Sequence, residues 1–374
     1  MVSPCILSFL TLSVGCAIPA IIGVMSRFLQ APPEKVMSAP SLTIIESDVP
    51  PPWQQMLSDL ITDPQELLSL LSLDPQEKPL GLSAAVQFPL KVPRWFVSRI
   101  EPGDWQDPIL RQLWPAQEEE IAAPNYVVDP LEETRFNPVP GLLHKYTSRV
   151  LLTAAPHCAV HCRYCFRRHF DYAGNAPSRT DWQAAFAHIA ADARIEEVLL
   201  SGGDPLALSN RQFGWLLEQI ESIAHVRTVR IHTRMTIVLP QRIDAEFAAM
   251  LGASRLKVVL VSHCNHANEL SDESRAAFRA LASNSVTLFN QSVILADVNN
   301  SSGVLIQLSN ALFDQGVLPY YLHLPDAVAG TAHFDVPIPD AQALVAEMQA
   351  QLPGYLVPRL VREEPGEDSK TRYA

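Results

Sequence analysis

Residues 158–165 read Cys158-Ala-Val-His-Cys162-Arg-Tyr-Cys165, directly behind an apolar, strand-like run at 150–153. Three thiolates at CxxxCxxC spacing on one loop can each bind one iron of a cubane cluster. A [4Fe-4S] cluster ordinarily takes four cysteines, so three leave one iron with open positions. Such an iron can chelate the amino and carboxylate groups of S-adenosylmethionine (SAM) and pass it an electron. The alternative is a structural zinc, with His157, His161 or His169 as fourth ligand. Zinc sites usually come as two separated pairs of ligands, and no second cysteine pair exists in this chain.

Outward from the cysteines a pattern repeats. Strand-like runs at 150–153, 198–201, 228–231, 258–261, 287–293 and 319–322 alternate with amphipathic segments at 182–189, 213–220, 245–251, 274–281 and 304–313. Strand alternating with helix predicts βαβ units in a parallel sheet. Six units are too few for a closed eight-stranded barrel, so the expected fold is α/β, a partial (β/α)6 TIM-like barrel. Thr180 and Gln183 predict a capping box at the first amphipathic segment. In barrel folds chemistry sits at the C-terminal ends of strands, where the cysteine loop falls. The second run ends in Ser201-Gly202-Gly203-Asp204-Pro205-Leu206. Paired glycines permit close backbone approach to a ligand, and Asp204 can accept from the ammonium of SAM; a plain turn is the other reading.

Upstream, Asp63-Pro64-Gln65-Glu66 predicts a helix start, with Leu67, Leu68, Leu70 and Leu71 as the buried face. Residues 75–145 are Pro-rich and suggest an irregular region around the core. The expected divisions are an apolar extension at 1–36, a helical and irregular region at 37–145, the partial barrel at 146–330 and a C-terminal segment at 331–374.

The formal net charge of −12 over 374 residues excludes the basic stripe that nucleic-acid binding needs. Of the six cysteines, three cluster and Cys5, Cys16 and Cys264 are scattered, which suits a metal site in a reducing compartment rather than a disulfide framework. Residues 5–24 are uncharged and approach bilayer-spanning length. No basic residue precedes them as in a signal peptide; Arg27 and Lys35 follow instead. The expectation is a cytoplasmic protein whose start is Met37, without a membrane role.

Several strings carry a resemblance: DPLEE (129–133), PGLLHKY (140–146), CAVHCRYCFRRH (158–169), SGGDPL (201–206), HCNHANE (263–269), NQSV (290–293), PYYLH (319–323) and GEDSKT (366–371). From about Trp53 to the C-terminus the chain resembles the lysine 2,3-aminomutases of the radical SAM type, most closely the branch that supplies (R)-β-lysine for elongation factor P. The resemblance implies a [4Fe-4S] cluster, SAM and pyridoxal 5′-phosphate (PLP), and conversion of L-lysine to (R)-β-lysine. It implies an electron donor such as flavodoxin or ferredoxin, and a separate ligase that attaches the product to elongation factor P.

Residue by residue, it implies Cys158, Cys162 and Cys165 as cluster ligands and Lys370 as the catalytic lysine that holds PLP covalently. Lys145, Tyr146 and Arg149 match positions around the cofactor phosphate and ring; Gly202, Gly203, Asp204, His263 and Gln291 match SAM positions, the last two expected to end the fourth and fifth strands. Arg167 matches a substrate-carboxylate site, where bidentate geometry suits arginine. Asp326 and Glu363 match the acidic pair facing the ε-ammonium; Glu363 is an aspartate in the free-standing lysine aminomutases. No cysteine-rich tail follows Lys370, so the zinc of those enzymes is not expected. Other substrates (ornithine, arginine, glutamate) and a non-catalytic Fe-S scaffold are the alternatives, and the acidic pair favours a cationic side chain.

Overall fold

In the computed structural model, which describes residues 52–171 and 177–374, a nine-stranded sheet follows chain order without a reversal. Its strands are β1 (Leu142–Tyr146), β2 (Arg149–Ala155), β3 (Glu197–Gly202), β4 (Thr228–Thr233), β5 (Lys257–His263), β6 (Thr287–Val293), β7 (Leu318–His323), β8 (Arg359–Arg362) and β9 (Thr371–Arg372). Strands β2 to β8 are parallel, while β1 and β9 pair antiparallel at the two edges. Helices Arg179–Ala191, Asn210–Glu221, Ala245–Gly252, Asp272–Ser283, Ser302–Asp314 and Ile338–Gln351 carry the chain between successive parallel strands. The described residues belong to one compact unit, Val49–Ala374. The expected extension at 1–36, the expected start at Met37 and the rest of the chain up to residue 51 lie outside them.

Alternation along the strands decides what each face does. Val150, Leu152, Val198, Leu200, Val229, Ile231, Val258 and Leu260 share one buried core with Phe213, Leu216, Phe247, Phe278 and Leu281 of the helices. Their neighbours Leu151, Leu199, Arg230, His232, Val259 and His263 line a cavity instead. A parallel strand covered on both faces reads as a continuous apolar run; here polar residues alternate in because the second face borders a cavity.

Four expectations need correction. A seventh parallel strand, β8, extends the six read from the sequence. The first crossover helix is capped by Ser178, with Asp181 returning the bond, so the box lies two residues before the Thr180–Gln183 pair. Gln291 lies two residues inside β6, although His263 does end β5. Leu70 is 51% exposed: at 100° per residue it points about 105° away from the centre of the Leu67–Leu68–Leu71 face. The Asp63 cap itself forms, accepting from the Gln65 N–H at 2.9 Å.

Candidate active site

The cysteine loop leaves β2 and is tied down by the N-terminal region. His161 and Arg163 donate their backbone N–H groups to the carbonyls of Lys91 and Gln112, both at 2.9 Å. Arg163, fully buried, forks onto Glu119 at 2.7 and 2.5 Å, and Arg168 reaches the same carboxylate at 2.5 Å. Both guanidinium groups flank the Phe88 ring, at 5.0 and 5.1 Å from its centroid. Removing one partner of a buried ion pair leaves an uncompensated charge, worth about 3–5 kcal/mol. Glu119→Ala is therefore expected to lower unfolding stability by about that amount, as read by chemical denaturation; a midpoint equal to wild type would refute this anchoring.

Cys158, Cys162 and Cys165 are free thiols facing a cavity of about 1040 Å³. One small ligand ordinarily occupies about 300–1,000 Å³, so this volume suits several groups held together. Burial first, and then neighbouring thiolates, push the Cys165 thiol up to about 11. Such thiols stay protonated until metal binding displaces the proton. Sulfurs around a single tetrahedral ion stand less than about 4 Å apart. Among the described residues no three His, Cys, Asp or Glu groups gather closely enough to hold one ion. Three thiolates on one loop are the soft donors that the irons of an Fe–S cluster take.

All fifteen residues expected at the site line that one cavity. Their engagements differ. Gly202, at φ +109°, and Gly203 pack against the chain itself: a Cβ at Gly203 would stand 2.4 Å from the His157 carbonyl oxygen. Their smallness seats the cysteine loop on β3. Asp204 is 6% exposed and accepts from the N–H groups of Leu206, Arg234 and Met235 and from the Thr233 hydroxyl. Its carboxylate thus caps the 3-10 turn Pro205–Ala207 and braces β4, which the Asp-Pro pair itself could have signalled.

In the same cavity Glu363 gathers two lysines. Its Oε1 accepts from Lys145 Nζ at 2.7 Å and from the Tyr146 hydroxyl, and its Oε2 accepts from Lys370 Nζ at 2.7 Å. Burial alone would raise this carboxyl, but Lys370 and the three donors outweigh it and hold it at about 2. Lys145 also donates to the Glu364 carbonyl at 2.7 Å. Arg149 stacks on the Tyr146 ring, 3.8 Å from its centroid. Arg167 is nearly buried and forks onto Glu133 at 2.6 to 3.2 Å, with a further bond to the Ser201 hydroxyl at 3.2 Å. Burial pushes the Asp326 carboxyl up to about 7, with Glu363 and Glu133 adding to the rise and Lys370 and Arg362 opposing it.

Sequence reasoning missed several cavity residues. His232 ends one residue short of the β4 terminus and its Nδ1 stands 3.5 Å from His263 Nε2. His323 ends β7. Burial lowers all three histidines, His263 to about 3, so each is neutral. Polar residues at the C-terminal ends of apolar strands were the available signal.

Comparison with known proteins sets this geometry in a class. Residues 152–263, from β2 through β5, match the radical SAM superfamily, a class whose members carry a [4Fe-4S] cluster and SAM. The L-lysine 2,3-aminomutase of Escherichia coli (strain K12) is 49% identical over 320 residues, 85% of this chain and 93% of the relative. That of Haemophilus influenzae is 44% identical over 86% of this chain and 95% of its own length, and that of Clostridium subterminale 37% over 74% and 67%. The chain belongs to the lysine 2,3-aminomutase family, a family of isomerases. Among solved structures, the radical SAM methyltransferase TsrM from Kitasatospora setae aligns with 12% identity over 47% of this chain and 36% of its own, at a TM-score of 0.34, too slight a likeness to bear on the fold.

Proposed function

We infer that this protein converts L-lysine to (R)-β-lysine with a [4Fe-4S] cluster, SAM and PLP, and that the product serves the modification of elongation factor P through a separate ligase. The observation that carries this reading is one cavity lined by the cysteine trio, Lys370, a buried arginine and two acidic residues. When bound, the cluster with SAM supplies a hydrogen-abstracting radical and PLP supplies the ring system through which the amino group migrates.

The chain's own residues bind, orient and exclude water. Cys158, Cys162 and Cys165 would hold the cluster at the C-terminal end of β2, with His263 and Gln291 toward SAM. Lys370 supplies an amine for PLP, with Tyr146 and Arg149 beside it as ring and phosphate partners; Gly202, Gly203 and Asp204 shape the loop against which SAM rests. Arg167, whose Nε–Nη2 fork is held by Glu133, would meet a substrate carboxylate through Nη1, which now donates to the Ser201 hydroxyl. Asp326 and Glu363 put negative charge where a cationic side chain would end, which favours lysine over glutamate.

The open edges of the sheet, β1 and β9, support a partial barrel of the radical SAM type. The divisions at 37–145, 146–330 and 331–374, with the first as a wrap and the last as the carrier of Lys370, belong to the same proposal, the flanking segments adding β1, β8 and β9 to the sheet. Among the described residues no helix is long and apolar enough to cross a membrane. A cytoplasmic setting and a flavodoxin or ferredoxin donor belong to the same proposal.

The test is an anaerobic assay with labelled L-lysine, SAM, PLP and a reductant. Labelled β-lysine from SAM-dependent turnover is expected; turnover of ornithine or arginine in preference to lysine, or no SAM cleavage at all, would sink the assignment. The Asp326 carboxyl adds a pH dependence. Below about 7 it is protonated and neutral, and above it becomes the anion a cationic substrate needs. The KM for lysine is therefore expected to fall about tenfold between pH 6 and pH 8 as that group ionises, and Asp326→Asn to flatten the profile. A KM indifferent to pH in the native enzyme would remove Asp326 from substrate binding.

A further inference from the structure

Arg234 directly follows β4, with its backbone N–H fixed on the Asp204 carboxylate at 2.7 Å. Its side chain is 5% exposed, and Nη2 is anchored by Glu269 Oε2 at 3.1 Å and Gln112 Oε1 at 3.0 Å. Nε and Nη1 are buried without a hydrogen-bond partner. A buried donor left unpaired costs about 1–3 kcal/mol, so two on one anchored guanidinium call for an acceptor. The group lies over the Tyr164 ring, 5.4 Å from its centroid, and faces the Cys162 sulfur. Tyr164 stands between two of the three cysteines, so the loose end of the guanidinium points at the sulfur corner of the site. Glu269, fully buried, is itself held by the N–H groups of Asn265 and His266 and by the Gln112 amide, at 3.1, 3.0 and 3.0 Å. The anchor is therefore rigid and the two free donors are aimed.

We propose that Arg234 is a positioning residue for the cluster, whose unpaired N–H groups bond the Cys162 corner and raise the reduction potential. The proposal rests on the reading that the three cysteines hold a [4Fe-4S] cluster. Net charge and hydrogen bonds to the sulfurs set the potentials of such clusters. One electron added to the cluster makes its sulfurs more negative, so a fixed cation with free donors stabilises the reduced form more than the oxidised one. Reduction is the step that must precede SAM cleavage, and Arg234 makes that electron easier to deliver.

The experiment is an EPR-monitored redox titration of the full-length protein, reconstituted anaerobically, with iron and sulfide measured in each sample. Arg234→Gln, which keeps a donor but no charge, is expected to carry a full cluster with a more negative midpoint, and Arg234→Lys to fall between it and wild type. Unchanged midpoints in both variants at full cluster content would overturn the proposal. Should either variant fail to hold the cluster, Glu269→Gln decides. Removing that counter-charge exposes the Arg234 cation more fully, so its midpoint is expected to move in the positive direction; no shift, or a negative one, is the overturning result. Wild-type protein that takes up no iron would remove the cluster reading itself, and the proposal with it, an outcome distinct from a cluster whose potential ignores Arg234.

Discussion

Replacing Cys162 with alanine is expected to abolish both the cluster and turnover. The residue is the corner sulfur that Arg234 faces, and its carbonyl accepts from the Cys165 N–H at 2.9 Å, which closes the turn between the last two thiolates. Two remaining sulfurs would leave half of the cubane's iron without protein ligands. Anaerobic reconstitution of Cys162→Ala should yield iron and sulfide near background, no broad visible absorbance, and no 5′-deoxyadenosine from SAM. Cys264→Ala is the comparison. That thiol is completely buried, donates to the His266 carbonyl at 3.3 Å and is not among the residues that line the cavity, so its loss removes packing and one weak hydrogen bond. A Cys162→Ala protein that still cleaves SAM would overturn the ligand assignment.

Loss of Lys370 is expected to be equally severe for a different reason. The amine stands in the same cavity as the cysteines, 2.7 Å from Glu363 and over the Tyr321 ring at 5.9 Å. Lys370→Ala should lose the absorbance that covalently held PLP gives and drop turnover to background, while iron and sulfide content stay normal. Lys370→Arg separates the two roles of the side chain. Arginine keeps the ion pair with Glu363 but offers no nucleophilic amine at accessible pH, so it should be as inactive as alanine. Turnover surviving in Lys370→Arg would mean that charge, and not the amine, is what this position provides.

The parts of the molecule legible in the sequence are those governed by short-range pattern. Strands β2 to β5 announce themselves because each buries a pair of alternate apolar residues, such as Val198 and Leu200 in β3 or Val229 and Ile231 in β4, and the CxxxCxxC loop because three thiolates within eight residues have few other uses. Strand β8 was silent. Its four residues, Arg-Leu-Val-Arg, present a two-residue apolar centre, and pairing with β7 and β9 makes a strand of them. Glu119 carries no local mark at all; its importance comes from two arginines more than forty residues away that need one buried carboxylate. Asp204 shows the reverse case. The Asp-Pro pair that correctly placed a cap at Asp63 recurs there, and the same rule would have assigned its oxygens to the backbone. Glu133 belongs to the quoted DPLEE string, yet its pairing with Arg167 across 34 residues appears only in three dimensions.

The triple engagement of Glu363 bears on the order in which the protein fills. An acceptor already saturated by two ammonium groups and a phenol offers little to an arriving amino acid, however cationic its side chain. On the function proposed above, Lys370 would turn to PLP and vacate one oxygen of that carboxylate as a berth for a third ammonium. On that reading the enzyme's own lysine is a placeholder, and an amino acid would find its counter-charge only in a pocket already furnished with the means to transform it.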